Sequence, residues 1–438
     1  MSAKNLFIVG CLVCLSGCAA TPYSPPVTAC ATSDAVPLDP WWRAFGDTRL
    51  EALLNEARSC NVDLARRVLA LSKDRLLLDK SDVSFEASLS GKSAKPLSGG
   101  ETERRVRVNT SVSYELDLWG RVAREHDANA WRVRASTFDL RAVALSVEAE
   151  VATRYWTVVA VSRQRVLAGQ NLETRRALLA LTNSAIQTGA LAPREGWVRQ
   201  RDVLSAEQTV SRLEREEERA RNALAALLDR SSSRGIEVAP RLSDRLPAIR
   251  PELSVEILSR RPDMAALQAR LRERLALVDR ARASFMPALT LTGELGASSL
   301  ALGTLLSQPV ASLGANLVLP FFNWRNLDIR LQEEKIAYQD LELDYRRTLH
   351  QALRESDDAL SWRQRLLAEA GSLEKELALA RSGEQEAELR FQLGDGERMA
   401  WYEAQLTVRD LEAQLLSNRF EQMSNLATIY KVFGGAPA

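Results

Sequence analysis

Five cysteines and two histidines are the residues of this 438-residue chain best suited to nucleophilic, redox or metal chemistry. Their spacing builds no centre. His126 and His350 stand in unrelated helical stretches and read as solvated polar positions, not as bases or ligands. There is no CxxC pair and no Cys/His cluster, hence no zinc signature. No nucleophile–base pair or phosphate loop appears, so the chain reads as a non-enzyme without a cofactor. The thiols divide by location: Cys11, Cys14 and Cys18 in an N-terminal segment, Cys30 and Cys60 beyond it.

The first segment is an address. Lys4 precedes an apolar run from Leu6 to Leu15, and Ser16 and Gly17 follow. A positive start, a short hydrophobic core and small residues before a cleavage point predict a signal peptide over residues 1–17. The run is about 10 residues, too short to cross a bilayer, which takes about 20. Leu15-Ser16-Gly17-Cys18 resembles the bacterial lipobox. That resemblance implies that the Cys18 thiol takes a diacylglycerol and becomes the first residue after cleavage. Ala19 follows instead of aspartate, which resembles the default signal for the outer membrane. At about 0.8 kcal/mol per buried methylene, the lipid can anchor the chain. Residues 18–40, rich in Pro, Thr, Ser and Ala, read as an extended tether. The oxidising periplasm permits a disulfide, for which Cys30 and Cys60 are the candidates.

The elements beyond the tether occur twice. Trp119 matches Trp324, Gln187-Thr188-Gly189 matches Gln392-Leu393-Gly394, and Leu227-Leu228 matches Val432-Phe433, all at an offset of about 205 residues. The first repeat covers 41–230: a helix capped at Asp47 with a break near Cys60-Asn61, a strand pair over 84–116, and a helical hairpin over 120–230. A linker follows at 231–250. The second repeat covers 251–435: two helices, a strand pair over 288–319 and a hairpin over 324–433. The strands show period-2 alternation, with Phe85, Val108, Val112, Tyr114, Leu291 and Leu317 on one face and Ser, Thr, Asn, Glu or Arg on the other. A Gly/Ser/Lys-rich loop is predicted over about 91–104. The helices from Gly120 and Trp324 run without proline for about 65 residues, or about 100 Å. Val203, Ala206, Val210, Leu213, Ala220, Leu224 and Leu227 form a heptad seam broken only by Glu217. The second seam, at Val408, Leu411, Leu415, Ile429 and Val432, is interrupted by Asn418, Gln422 and Asn425 and is expected to be wetter.

Four strands of such length and alternation suit an outer membrane, with lipid on one face and water on the other. Four strands cannot close a barrel, and an open edge leaves backbone groups unpaired in lipid. The chain must borrow strands from copies of itself, and three copies supply twelve. The predicted fold class is therefore an α+β membrane protein: a trimeric 12-stranded β-barrel, four strands per protomer, continuous with a coiled-coil periplasmic helical barrel and internally duplicated. Tyr114, Trp119, Phe321 and Trp324 sit at strand ends, as an interfacial aromatic belt does; the alternative reading is packing at a strand–helix corner. Lys+Arg (58) and Asp+Glu (57) nearly cancel, which removes the basic field that nucleic-acid binding needs.

Several segments carry a family resemblance covering nearly the whole chain. They are Trp41-Trp42-Arg43-Ala44-Phe45-Gly46-Asp47, Tyr114-Glu115-Leu116-Asp117-Leu118-Trp119-Gly120-Arg121, Arg261-Pro262-Asp263, Pro287-Ala288-Leu289-Thr290-Leu291-Thr292-Gly293 and Leu319-Pro320-Phe321-Phe322. Together they resemble the outer-membrane factors of the TolC/OprM type, in the lipoprotein (NodT-like) branch. The match departs at Val83-Ser84-Phe85, where the family has Leu-Pro, and at Phe322-Asn323-Trp324-Arg325-Asn326, where it has Phe-Asp-x-Gly-Arg. The resemblance implies a homotrimer in the outer membrane that serves as exit duct of a tripartite efflux system. Its partners would be a periplasmic adaptor and an inner-membrane pump of RND type, and its cargo small molecules such as drugs. An equatorial belt would use the linker, the residues after the tether and the C-terminal tail. The turns at Thr188-Gly189 and Leu393-Gly394 would form the far periplasmic tip. Family gate rings align with Met399 and Glu403, with Asp395 a further candidate.

Two other classes fit less well. A periplasmic adaptor shares the lipobox and a helical hairpin but has one hairpin and no duplication. A purely structural coiled-coil lipoprotein leaves the strand pairs unexplained. Drug efflux, metal efflux and protein secretion stay open, since pump specificity usually resides in the inner-membrane partner. Two histidines and five methionines form no metal-handling cluster.

Overall fold

The computed structural model describes residues 40–79, 83–94, 103–243, 246–247, 249, 260–299 and 309–435. Cys18 and Cys30, the signal peptide, the tether and the short helix predicted before Arg260 lie outside them.

A single 3-10 turn at Trp41–Phe45 leads into α1 (Thr48–Cys60), whose first amides at Arg49 and Leu50 donate to the Asp47 carboxylate at 3.0 and 3.2 Å. Asn61 ends α1 and caps α2 (Val62–Leu78), accepting from the Asp63 and Leu64 amides. These side chains satisfy donors that a helix start leaves without intrahelical partners. Strands β1 (Val83–Ala94) and β2 (Glu103–Leu116) follow. The intervening loop is shorter than the predicted 91–104, because the ladder continues to Ala94 opposite Glu103. Backbone pairing does not need the apolar side chains on which the alternation was read.

Next come α3 (Arg121–Gln187, 67 residues) and α4 (Pro193–Leu227, 35 residues). The second half runs α5 (Pro262–Ala283), β3 (Ala288–Ser299), β4 (Val310–Val318), a 3-10 turn, α6 (Trp324–Gln392, 69 residues) and α7 (Arg398–Val432, 35 residues). At 1.5 Å per residue α3 and α6 are each about 100 Å long. Both close in the same way. Gly189 and Gly394 adopt φ of 76° and 79°, and the next amides, Ala190 and Asp395, donate back to Ala185 and Arg390 at 2.8 and 2.9 Å. A left-handed residue is what this reversal requires, and glycine meets it without a Cβ clash.

The four strands form one antiparallel sheet in the order β1-β2-β3-β4. Its central ladder pairs β2 with β3 and so joins the two strand pairs. Among the helices α3 is the hub, packing on α1, α2, α4, α5 and α7, while α6 packs on α5 and α7.

The main core lies around the middle of α3, far from both strands and tip. Trp41, Trp42, Phe45, Leu50 and Leu54 pack on Tyr155 and Trp156 of α3, with Leu224 of α4 and Leu426 and Tyr430 of α7. Trp41 stacks on Tyr430 at 4.9 Å, and the Tyr155 hydroxyl donates to Asp47 at 2.7 Å while accepting from the Ala239 amide at 3.0 Å. Arg58 lies 4.5 Å over the Trp42 ring and pairs with buried Glu148 at 2.7 Å. The linker is stitched to this collar: Arg49 donates to the Val238 carbonyl, Ser243 to that of Phe45, and Arg419 of α7 to that of Ser243.

The first heptad seam is dry, with Val203, Leu213, Ala220 and Leu224 buried. Its exception, Glu217, is held by Arg165 and Arg221 at 2.8 and 3.0 Å. Burial opposes its charge, but the two guanidiniums prevail and hold the carboxyl below its usual range. The second seam differs from expectation. Asn418, Gln422 and Asn425 are buried. Asn418 donates to the Leu366 carbonyl and Glu369, Gln422 donates to Asn418, and Asn425 donates to the Ala359 carbonyl. Helix α7 is therefore stapled to α6 by a buried polar ladder, because amide side chains can donate to carbonyls of the facing helix and aliphatic ones cannot.

Candidate functional site

Three regions bear on function: the two faces of the sheet, the corner where strands become helices, and the helical tip.

Directly paired residues share a face, so the register sorts the sheet completely. One row reads Phe85, Val112, Gly293, Leu313 across β1 to β4, and the row nearer the helices reads Val83, Tyr114, Leu291, Ala315. The opposite face carries Ser84, Ser113, Thr292, Gly314 and then Glu86, Ser111, Glu294, Ser312. The apolar face stands open: Leu313 is 86% and Phe85 76% exposed. Such an open apolar face, backed by a polar one, is suited to lipid. Among the described residues no helix is long and apolar enough to cross a membrane.

At the corner, Asp117 caps α3 through the amides of Val122 and Ala123, and Glu115 grips Arg121 with both oxygens. The Trp119 indole donates to the Pro287 carbonyl at 2.9 Å, tying the end of one strand pair to the start of the other. Tyr114, Trp119 and Trp324 are 44%, 53% and 63% exposed, as belt residues would be. Phe321 lies in the 3-10 turn Pro320–Asn323, and its side chain is outside the description.

At the tip, Thr188-Gly189 and Leu393-Gly394 form the two reversals, with Leu393 74% exposed. Just past the second turn Met399 meets Thr182 of α3, whose hydroxyl lies 3.9 Å from its sulfur. Glu403 accepts from Arg199 of α4 in an ion pair. Both candidate gate residues thus contact the first hairpin of the same chain, and the Glu403 charge is balanced within the protomer. Asp395 is exposed in the turn and borders a groove with Arg390, Gly396 and Glu397. Phe391, Trp401 and Arg398 stack beside it.

Cys60, the last residue of α1, is disulfide-bonded. No group of three or more His, Cys, Asp or Glu fit to hold a metal occurs among the described residues. His126 and His350 are exposed.

Sequence reasoning missed one repeated contact. Arg176 pairs with Glu207 at 2.8 Å between α3 and α4, and Arg381 pairs with Glu412 at 2.9 Å between α6 and α7. Both members recur at the offset of about 205 residues, so the repeat, once seen, pointed to them. The collar pair Arg58–Glu148 and the ladder residues Asn418 and Asn425 left no such signal, because the positions about 205 residues away hold Asp263, Leu353, Leu213 and Ala220.

A sheet with one face for lipid and one for water, carried on helices of about 100 Å, defines an outer-membrane channel subunit with a periplasmic extension. The chain belongs to the family of outer membrane efflux proteins, whose family model matches residues 80–230 and 253–435. It is 28% identical over 420 residues to the pyoverdine export outer membrane protein OpmQ of Pseudomonas putida, covering 92% of this chain and 89% of that one. It is 27% identical over 415 residues to the outer membrane protein OprJ of Pseudomonas aeruginosa, covering 90% and 86%. Its fold matches the CmeC outer membrane channel of Campylobacter jejuni with a TM-score of 0.81 at 22% identity, over 95% of this chain and 94% of that one. The protein is an outer-membrane efflux channel, and its family is one of channels, not enzymes.

Proposed function

We propose that three copies of this chain close a 12-stranded barrel and, below it, a helical tube, forming the exit duct of a tripartite efflux pump. The observation that carries this is the sheet: β1 and β4 each pair on one side only among the described residues, while the apolar face is continuous across all four strands. In lipid those edges must be paired, and another copy of the chain offers the matching edge. The near-equal hairpins, with second helices of 35 residues each, fit an internally duplicated protomer that gives the tube a six-fold-like wall.

In this reading the Cys18 thiol carries the lipid anchor, a disulfide joins Cys30 to Cys60, and Tyr114, Trp119, Phe321 and Trp324 lie at the membrane interface. Thr188-Gly189 and Leu393-Gly394 form the tip, which docks a periplasmic adaptor and, through it, an RND-type inner-membrane pump. Met399, Glu403 and Asp395 line the gate. The Arg199–Glu403 pair supports a closed tip, and an adaptor that competes for either charge would open it. Relatives named for export of pyoverdine, antibiotics and toluene support a small-molecule cargo.

Native mass spectrometry of the detergent-purified protein tests the assembly. A trimer of lipidated chains is expected; a monomer that conducts ions would overturn it.

A further inference from the structure

The described residues include one basic cavity that neither the barrel nor the gate uses. It lies below the collar, where α3, α6, α7 and the linker meet, and has a volume of about 340 Å³. Its floor is leucine: Leu167, Leu242 and Leu377 are buried there, flanked by Leu415 and Leu416. Its rim is guanidinium. Arg163, Arg241, Arg381 and Arg419 converge on it against the single carboxylate of Glu412. Glu412 is engaged by Arg381, and Arg419 by the Ser243 carbonyl. Arg163 and Arg241 have no ion-pair or hydrogen-bond partner among the described residues. The excess of positive charge is local, since the chain as a whole carries a formal charge of +1.

Unopposed arginines over an apolar floor match one ligand chemistry, a carboxylate carried on a short aliphatic body. The planar guanidinium fork binds carboxylates bidentately, and leucine accepts the methyl groups behind them. The cavity is large enough for one or two amino-acid residues and too small for a folded partner. Its position supplies the source. Arg163 lies about 60 Å along α3 from the strand corner, within the periplasmic extension. A tube that crosses the periplasm must pass through the cell wall, whose stem peptides present free carboxylates beside alanine methyl groups. We propose that this cavity binds the carboxylate end of a peptidoglycan stem peptide and so fixes the channel to the cell wall.

Full-length protein in detergent is titrated calorimetrically with the tetrapeptide L-Ala-γ-D-Glu-diaminopimelate-D-Ala. Saturable binding is expected, weakened at least tenfold in the double variant Arg163→Ala/Arg241→Ala and by its carboxylate-amidated form. If the alanine variant does not fold, Arg163→Lys/Arg241→Lys keeps the charge but loses the fork, and binding weakened about threefold or more is expected. Binding equal in the folded variant and the unaltered protein overturns the proposal. So does equal binding of the amidated peptide, or displacement by equimolar inorganic phosphate. Conductance measured on the same variants is expected to be unchanged, so failure here stays separate from failure of the channel reading.

Discussion

The Arg199 guanidinium on α4 donates to the Glu403 carboxylate on α7, linking the two helical hairpins of one chain close to their turns. Side-chain exposures of 28% and 51% place the pair in partial solvent, where such pairs stabilise by about 0.2–1 kcal/mol. That is small for stability and sufficient to bias a gate. Arg199→Glu sets two carboxylates together and is expected to make cells more sensitive to a large hydrophilic antibiotic. The exchanged pair Arg199→Glu/Glu403→Arg restores resistance. A double variant as leaky as the single one would remove the pair from gating.

The polar ladder between α6 and α7 supports stability rather than hydration. Asn418→Ala deletes donors to Leu366 and Glu369 and leaves the Gln422 amide without its acceptor. Leaving a buried polar group unsatisfied costs about 1–3 kcal/mol. The apparent melting temperature in detergent should fall by several degrees. Loss of an equal amount in Ser382→Ala, at an exposed position of α6, would show that the ladder has no special weight.

Two carboxylates in the collar and at the start of α5 predict opposite pH dependences. Burial raises the Glu148 carboxyl above its usual range, against the pull of Arg58. A raised group stabilises the fold fully below its unfolded value and loses that contribution as pH climbs through the folded one. Stability relative to Glu148→Gln should therefore rise as pH falls from 7 toward 4. For Asp263, burial acts upward, but Arg261 and the Met264 amide hold the carboxyl below its usual range. Its contribution is present above the unfolded value and lost on acidification, so stability relative to Asp263→Asn should fall below about pH 4. Thermal unfolding of the three proteins across pH reads both signs.

The two sheet faces differ in what they tolerate. Leu313→Arg places a charge on the lipid side, at a cost of about 2–4 kcal/mol near the bilayer midplane. Ser111→Arg, on the polar face of β2, leaves insertion intact and changes ion preference. The amount of folded protein in outer-membrane fractions distinguishes them. Equal loss in both would mean that the faces are not divided between lipid and water.

Much of this architecture is legible in the sequence because periodicity reports it directly. The strands alternate, the helices lack proline for about 65 residues, and Gly189 and Gly394 mark reversals that only a left-handed residue allows. What escaped depends on partners distant in sequence. Asn418 and Asn425 looked like wet interruptions, since a heptad pattern does not show which carbonyls lie opposite. Lys92 and Arg104 looked like loop, although their backbones pair in the ladder. Glu403 aligned with a gate ring, yet nothing in its neighbourhood announced Arg199, some 200 residues earlier. The packing of the Trp41-Trp42 segment on Tyr430 likewise follows from the α3–α7 contact, which no local pattern encodes.

Single-channel recording in planar bilayers bears most directly on a gated duct. The purified protein is expected to insert and conduct weakly, and Met399→Ala/Glu403→Ala to conduct severalfold more through the same open pathway. Conductance of the double variant equal to that of the unaltered protein, or no conductance from either, would contradict the account.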